Sequence, residues 1–279
     1  MVMTELQFRD TAAAGYDQVV GRMTAQFIPP LLQAARIVPG HRVLDIAIGT
    51  GIAAEAAVVR VGPSGHVVAT DISPALVERA RERLGGLSAV ALAVEDGQAL
   101  TFQAERFDAV LCNQGLMYFP DPARGLAEFH RVLRPGGRAA TSVPTTPERS
   151  LTGRVHASIA RYAPSKAAEI RRIFSLGAEG HLRLLLEAAG LVEVEDAIEV
   201  VRMAFPSFDA YFNGVERGAG NVGQDYVALP EDARRAVREE ARRDLGDAGG
   251  TGRDRGGGQD RQRTPLEHFP IMLDLAQRH

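Results

Sequence analysis

A glycine-rich turn flanked by acidic residues is the part of this sequence whose residue types and spacing could do chemistry. The segment VLDIAIGTGIAA, residues 43–54, predicts a buried strand, a tight turn and the apolar start of a helix. Such a turn aims backbone N–H groups and the positive end of a helix at a ligand. Gly49, Gly51 and Ala54 also fit the G-x-G-x-x-G/A pattern, so a dinucleotide is one candidate ligand.

Three aspartates narrow the choice of ligand. Asp71 ends the second predicted strand, where a carboxylate can accept hydrogen bonds from ribose hydroxyls. Asp45 directly precedes the turn, where it would repel a pyrophosphate but suits a positive amine. Asp96 follows the third strand and can accept from an adenine amino group while the N–H of Gly97 donates to the ring. The pattern describes a nucleoside with an amino-acid-like tail and no phosphates.

Alternating periodicities between about residues 40 and 203 predict the elements that position these side chains. The strand-like runs are HRVLDIAI, HVVATD, AVALAV, FDAVLCN and GRAATSV. Among the helical runs, PALVERARERL begins after the N-cap Ser73, and PARGLAEFHRVL begins after Asp121 and is expected to end at Pro135–Gly137. Repeated βα units predict a doubly wound, mostly parallel sheet, in which ligands bind beyond the carboxyl ends of the strands.

Composition and patterning divide the chain into four predicted segments. They are a helical cap at 1–35, a core at 36–203 with a helical insertion at 145–178, a helical lid at 204–248 and an atypical tail at 249–279. The tail, rich in glycine and arginine, is predicted to be either disordered or the product of a frameshift. In the second case the sheet would lack its last strand or fill the gap with PIMLDL.

Bulk properties exclude several classes of function. The 279 residues are 45% apolar with a net charge of -3, which does not favour nucleic acid or an anionic membrane as a partner. The single cysteine, Cys112, excludes an internal disulfide, and no Cys/His cluster has zinc-ligand spacing, so no metal is predicted. No leader or spanning segment is evident, and we predict a cytoplasmic location.

Five motifs in order, VLDIAIGTG, VVATDIS, VEDGQAL, FDAVLCNQGLMYFPDP and EFHRVLRPGGR, resemble the class I S-adenosylmethionine-dependent methyltransferases of the ubiquinone/menaquinone C-methyltransferase-like branch. The resemblance extends from about Gly15 to Ala210. It implies a Rossmann-like, seven-stranded sheet with helical lid additions and S-adenosylmethionine as the cofactor. It also implies methyl transfer to a small or medium organic acceptor, as a monomer or homodimer.

The resemblance further implies which residues contact the cofactor. They are Tyr16, Asp45, Ala47, Gly49, Thr50, Gly51, Asp71, Ile72, Asp96, Gly97, Asn113 and Leu116. In this arrangement Asp45 lies by the methionine amine, Asp71 holds the ribose and Ile72 packs on the adenine. Ala47 stands where the family pattern has its first glycine, which removes freedom at that backbone position.

The remaining implied contacts lie on the adenine edge, on the methionine side and over the cofactor. Asp96 and Gly97 would contact the adenine edge. Asn113 and Leu116 would line the methionine side at the end of the fourth strand, and Tyr16 would close over the cofactor from an N-terminal helix.

The catalytic residues and the acceptor atom stay open. No base stands out, and His156 is only a weak candidate, so O, N or C methylation is equally compatible with the sequence. One alternative is an NAD(P)-dependent oxidoreductase, which shares the glycine pattern and Asp71 and for which Tyr162 and Lys166 have the Tyr-x-x-x-Lys spacing. Another is a non-catalytic S-adenosylmethionine-binding sensor or partner subunit.

Overall fold

A seven-stranded sheet forms the centre of the fold. The computed structural model describes residues 21–205, 207–248 and 266–279. Its strands are β1 (Arg42–Ile46), β2 (His66–Asp71), β3 (Val90–Val94), β4 (Phe107–Asn113), β5 (Leu133–Pro144), β6 (Leu191–Ala204) and β7 (Leu266–Arg278). Their order is β3-β2-β1-β4-β5-β7-β6. Strands β1 to β5 pair in parallel and β7 runs antiparallel to β5, which confirms the predicted mostly parallel sheet.

Helices precede and separate these strands along the chain. In the described ranges they are α1 (Arg22–Ala25), α2 (Ile28–Ala34), α3 (Ile52–Val61), α4 (Pro74–Leu84), α5 (Pro122–Val132), α6 (Leu151–Tyr162), α7 (Ala167–Ile173), α8 (His181–Ala188), α9 (Phe208–Glu216), α10 (Gly220–Val227) and α11 (Glu231–Ala248). The predicted N-caps are confirmed, since Ser73 Oγ accepts from the N–H of Leu76 at 3.4 Å and Asp121 Oδ1 from that of Arg124 at 3.1 Å. None of the helices in the described residues is long and apolar enough to cross a bilayer.

The predicted end of α5 is wrong by a few residues. The helix ends at Val132 and the chain enters β5 at Leu133, with the register to β4 shifting between Phe107 and Ala109. Pro135–Gly137 therefore lie in the irregular start of a strand rather than at the end of a helix.

The sheet is buried on both faces, as expected when parallel strands are covered by helices on each side. Val43 and Ala69 pack with residues of α2, α3 and α4 on one face. Leu44 and Val110 pack with residues of α5 and α8 on the other.

The chain divides into two compact units. A sheet unit contains Thr24–Thr145, Arg172–Glu199 and Pro270–His279, and a helical unit contains the described parts of Met1–Met23, Thr146–Arg171 and Val200–Phe269. The apolar residues of α2 belong to the core of the sheet unit. Residues 1–20 of the predicted cap lie outside the described residues, so the division of the chain into four segments stays a prediction. Whether the helical unit acts as a lid stays a prediction.

The C-terminal segment forms the seventh strand. Residues from Ile271 to Gln277 pair with Pro144 to Arg138 of β5, so PIMLDL fills the position at which the sheet would otherwise lack a strand. The filling of the gap by PIMLDL is one of the two outcomes that the frameshift hypothesis allows. The hypothesis itself concerns a glycine- and arginine-rich stretch that lies outside the described residues, and it stays a prediction.

Candidate functional site

The candidate residues of the sheet unit lie along one edge of the sheet. Asp71 at the end of β2 is in register with Val94 at the end of β3, and Asn113 at the end of β4 with Ser142 in β5. Side chains alternate along a strand, so Asp45, two residues after Val43, lies on the face covered by α2, α3 and α4. Asp71 lies on that face too, and both carboxylates therefore flank the start of α3.

The turn after β1 has a left-handed backbone at three alternate positions. The φ angles are 57° at Ala47, 57° at Gly49 and 89° at Gly51. A Cβ at Gly51 would lie 3.0 Å from Leu84 Cδ1, so glycine serves both the conformation and the packing against α4. A Cβ at Gly49 would meet no atom within 4 Å. The surface over Gly49 is therefore open to a ligand.

The backbone at Ala47 has a left-handed conformation, which favours glycine over alanine. A left-handed alanine costs on the order of 1 kcal/mol relative to glycine. Its side chain is accommodated because the facing residue has none, since a Cβ at Gly115 would lie only 2.4 Å from that of Ala47. The departure from the glycine pattern is thus matched by a glycine on the loop after β4.

Asp71 holds the turn in place. Its Oδ2 accepts from the N–H of Gly49 at 3.0 Å and its Oδ1 from that of Ser73 at 3.0 Å. Burial raises the pKa of Asp71, while the N–H groups of Ser73, Gly49 and Ile72 oppose that rise. A carboxylate has about four acceptor positions, so these bonds leave capacity for a further donor.

Asp45 is the more deeply buried of the two acids beside the turn. It is 1% exposed, and its Oδ2 has no hydrogen-bond partner in the described part of the chain. Burial, and next the charge of Asp71, raise the pKa of Asp45 to about 8, while the N–H of Ala54 opposes this. A positively charged ligand group would both satisfy the oxygen and stabilise the ionised form.

The end of β2 and the loop after β3 offer an apolar surface beside polar groups. Ile72, directly after the buried Asp71, is 62% exposed. Asp96 Oδ1 accepts from Gln98 through its backbone N–H at 2.9 Å and its Nε2 at 3.2 Å. A Cβ at Gly97 would lie 2.4 Å from the ring of Phe119, so glycine is required there for packing.

At the end of β4, a serine on β5 contacts two amide side chains. Ser142 Oγ donates to Asn113 Oδ1 at 2.7 Å and accepts from the backbone N–H and Nε2 of Gln114 at 3.1 and 3.2 Å. Leu116 is 0% exposed and packs in the core. Its side chain is therefore part of the core, and only its backbone is available to a ligand.

The comparisons with known proteins decide the family. A family model described as "Methyltransferase domain" matches residues 44–141, the stretch from β1 into β5 that carries the turn and the acids. Nocamycin O-methyltransferase of Saccharothrix syringae is 35% identical over 224 residues, covering 74% of this chain and 78% of that protein. The chain belongs to the S-adenosylmethionine-dependent methyltransferases. S-adenosylmethionine is its cofactor, and the reaction is methyl transfer to a small organic acceptor.

Two further similarities differ in extent. The ubiquinone/menaquinone biosynthesis C-methyltransferase of Bordetella avium is 46% identical, but over 106 residues that cover 37% of this chain and 41% of that protein. A putative methyltransferase structure from Bacillus halodurans C-125 has a TM-score of 0.59 at 20% identity, covering 91% of this chain and 99% of that one. The second similarity shows the methyltransferase fold.

The residues of the turn fit the methyltransferase cofactor. The unpartnered Oδ2 of Asp45 is suited to the cationic methionine end, and the exposed face of Ile72 to an adenine ring. The open surface over Gly49 leaves room for the cofactor close to the backbone.

The oxidoreductase alternative is not supported. Tyr162 donates to Glu240 Oε1 at 3.2 Å, whereas Lys166 pairs with Glu169 at 2.9 Å and Asp225 at 3.3 Å. The tyrosine and lysine are thus held by different acids and do not form a reactive pair.

Two predicted residues are not among the described residues of the sheet unit. Tyr16 lies outside the described residues. His156 is in α6 of the helical unit, 6% exposed, with Nδ1 3.2 Å from the carbonyl oxygen of Thr152. Burial lowers the pKa of His156 to about 4, so the ring is neutral and weakly basic at neutral pH.

Sequence reasoning missed Arg83, which supports the turn. The charged run of α4 predicts a solvated face, yet Arg83 Nε donates to the carbonyl oxygen of Thr50 at 2.8 Å. Its Nη1 lies 3.5 Å from Glu55 on α3. No local pattern distinguishes Arg83 from the other arginines of α4, because the contact depends on how the two helices pack.

Proposed function

We propose that the glycine turn and the three aspartates hold S-adenosylmethionine for transfer of its methyl group to a hydroxyl oxygen of a small organic molecule. The observation that carries the proposed binding mode is the buried carboxylate of Asp45, whose Oδ2 has no partner in the described residues. An unpaired buried acceptor is costly unless a ligand satisfies it. A cationic amine, which carries N–H donors, meets that need, and a phosphate does not.

In this proposal the other residues bind different parts of the cofactor. Asp71 accepts from a ribose hydroxyl with its remaining capacity, and Ile72 covers one face of the adenine. Asp96 and the N–H of Gly97 contact the adenine edge. Gly49, Thr50 and Gly51 supply a surface without bulky side chains beneath the ligand.

The methionine side is assigned to Ala47 and Asn113, with the backbone of Leu116 beside them. Tyr16 is proposed to close over the cofactor. These assignments extend the family resemblance residue by residue.

The reaction requires the protein mainly to position the cofactor and the acceptor. When bound, S-adenosylmethionine supplies an electrophilic methyl group on a sulfonium sulfur. The chain's residues hold the methionine end, orient the ribose and adenine and exclude water from the acceptor. His156 is the candidate base in the described residues, and its lowered pKa makes it a weak one. We therefore favour an acceptor hydroxyl acidic enough to lose its proton to solvent.

We choose oxygen as the acceptor atom because of how much of this chain each named relative matches. The relative named as an O-methyltransferase matches 74% of this chain, whereas the one named as a C-methyltransferase matches 37%. The longer match extends beyond the cofactor-binding stretch into residues that would select the acceptor. We further propose that the protein is a cytoplasmic monomer or homodimer. The net charge of -3 supports the proposal that it has no nucleic-acid partner.

Methyl transfer with carbon-labelled cofactor tests the proposal. The protein is incubated with methyl-¹³C S-adenosylmethionine and a panel of phenols, enols, amines and activated-carbon acids. The proposal expects the label in O-methyl groups, which NMR distinguishes from N-methyl and C-methyl groups. Label found only on nitrogen or carbon would contradict the choice of oxygen, and no binding of S-adenosylhomocysteine would contradict the site itself.

A further inference from the structure

The hydroxyl of Ser142 controls the orientation of two amide side chains at the end of β4. Ser142 is 0% exposed, and strand register places it opposite Asn113. Its Oγ lies 2.7 Å from Asn113 Oδ1, 3.1 Å from the backbone nitrogen of Gln114 and 3.2 Å from Gln114 Nε2. One hydroxyl thus lies at the centre of three hydrogen bonds.

The number of donor and acceptor positions on a hydroxyl limits how these three hydrogen bonds can be arranged. A serine has one proton to donate and two lone pairs to accept with. The backbone N–H of Gln114 can only donate, so the two amides share one remaining lone pair and one proton. A distance of 2.7 Å is typical of O–H···O and 3.2 Å of N–H···O, which assigns the proton to Asn113 Oδ1 and the lone pair to Gln114 Nε2.

The consequence is that the other ends of both amides are turned away from Ser142. Asn113 presents its Nδ2 donors and Gln114 presents its Oε1 acceptor, and neither atom has a hydrogen-bond partner in the described residues. Asn113 lies on the same face of the sheet as Asp45, since it is two residues beyond Leu111, the partner of Asp45. Asn113 is therefore on the face that carries the cofactor-binding acids.

Ser142 also supports the chain reversal after β4. Gln114 is left-handed, with a φ of 54°, an uncommon conformation for a side chain of its length. Its backbone N–H reaches both Oγ and, at 3.0 Å, the carbonyl oxygen of Ser142. The next residue, Gly115, is the one that accommodates the Cβ of Ala47 in the glycine turn.

We infer that Ser142 is a positioning residue, which fixes the Asn113 amide with its Nδ2 donors directed to a carboxylate oxygen of the cofactor's methionine moiety. The inference rests on the proposed binding mode of S-adenosylmethionine. Ser142 itself does not contact the cofactor. When its hydroxyl is removed, the backbone N–H of Gln114 keeps its 3.0 Å hydrogen bond to the carbonyl oxygen at that position, so the turn is still held. The effect on binding therefore passes through Asn113.

A double-mutant cycle tests this route. The dissociation constant of S-adenosylhomocysteine is measured by calorimetry for the wild type, Ser142→Ala, Asn113→Ala and the double variant. We expect Ser142→Ala to weaken binding by about 3- to 10-fold and Asn113→Ala by about 10-fold or more. In the Asn113→Ala background, Ser142→Ala should add no further loss, because the group it orients is gone.

Thr141→Val is the matched control. Thr141 is the adjacent buried hydroxyl of β5, at 1% exposure, and its Oγ1 donates at 3.0 Å to the carbonyl oxygen of Cys112. Its side chain faces the opposite side of the sheet. Its loss is expected to lower the melting temperature as Ser142→Ala does, while leaving the S-adenosylhomocysteine affinity unchanged.

Three results would overturn the inference: an unchanged affinity in Ser142→Ala, an equal loss in both backgrounds, or an equal loss in Thr141→Val. If Ser142→Ala does not fold, Ser142→Cys, which keeps a weak donor of similar size, enters the same cycle with a smaller expected loss. Failure of the wild type to bind S-adenosylhomocysteine would instead contradict the proposed function, so the two failures are distinguishable.

Discussion

The backbone N–H of Gly49 donates to Oδ2 of Asp71 at 3.0 Å, joining the glycine turn after β1 to the end of β2. The carboxylate predicted to recognise a ribose thus also holds the turn on which the cofactor would lie. The same acid lies near Asp45 and contributes to the raised pKa of that buried group. Structure and ligand binding are therefore coupled at this point.

Replacing Asp45 by asparagine should stabilise the cofactor-free protein at alkaline pH. Between the ordinary pKa of 3.8 and the folded value of about 8, the folded state keeps a proton that the unfolded state has released. The free energy of unfolding therefore falls as pH rises through this window, by at most about 1.4 kcal/mol per pH unit, and asparagine removes this loss. Urea unfolding at about pH 5 and about pH 8 measures it.

The gain in stability from Asp45→Asn should come with a loss of ligand affinity. Wild-type S-adenosylhomocysteine binding should strengthen as pH rises towards about 8, because the bound amine favours the ionised carboxylate, and the variant should lack this trend. A variant that is less stable than the wild type at both pH values would contradict the prediction that the buried carboxyl of Asp45 destabilises the cofactor-free protein at alkaline pH.

Replacing Ile72 by serine should weaken cofactor binding without lowering the stability of the protein. The side chain is 62% exposed, so it contributes little to the core, but an adenine packed on it would bury it. We expect about a 10-fold loss of S-adenosylhomocysteine affinity and an unchanged melting temperature. Val59→Ser is the matched control, at 80% exposure on α3, and should change neither quantity. Equal S-adenosylhomocysteine affinities for the two variants would show that Ile72 does not contact the cofactor.

Gly115→Ala should destabilise the protein, and Ala47→Gly should partly restore it. The added methyl group would lie 2.4 Å from the Cβ of Ala47 and 3.0 Å from Cys112 Sγ, at a cost of about 1–3 kcal/mol. Ala47→Gly removes the first clash and relieves the left-handed conformation, so alone it should be neutral or stabilising by up to about 1 kcal/mol. Purely additive effects in chemical denaturation would show that the two residues do not face each other.

His156→Gln should leave methyl transfer within about 10-fold of the wild-type rate, because a buried imidazole of pKa about 4 is a poor base at neutral pH. The rate should likewise show no inflection near the ordinary histidine pKa of 6.5. The measurement is kcat with labelled cofactor across the pH range. A loss of about 100-fold or more with unchanged cofactor affinity would make His156 the general base.

Much of the fold and of the site is predictable because it depends on local patterns. Alternating apolar runs and caps such as Ser73 locate the strands and helices, and the order of βα units brings Asp45 and Asp71 to one edge of the sheet. What is not predictable depends on contacts between distant segments. Arg83 on the carbonyl of Thr50 and Ser142 between two amides have no local signature.

The C-terminal strand illustrates the same limit. Composition marks 249–279 as atypical, and the sequence leaves open whether the sheet lacks its last strand or whether PIMLDL fills the gap. The pairing of Ala276 with Ala139 depends on the space that β5 leaves open, which only the assembled sheet defines.

Calorimetric titration of the intact protein with S-adenosylhomocysteine, and in parallel with NADH, is the most direct test of cofactor binding at the glycine turn. We expect binding of S-adenosylhomocysteine with a dissociation constant in the micromolar range and no heat from NADH. Binding of NADH, or no binding of S-adenosylhomocysteine to protein that unfolds cooperatively, would contradict the interpretation of the turn at Gly49–Gly51 as the cofactor site.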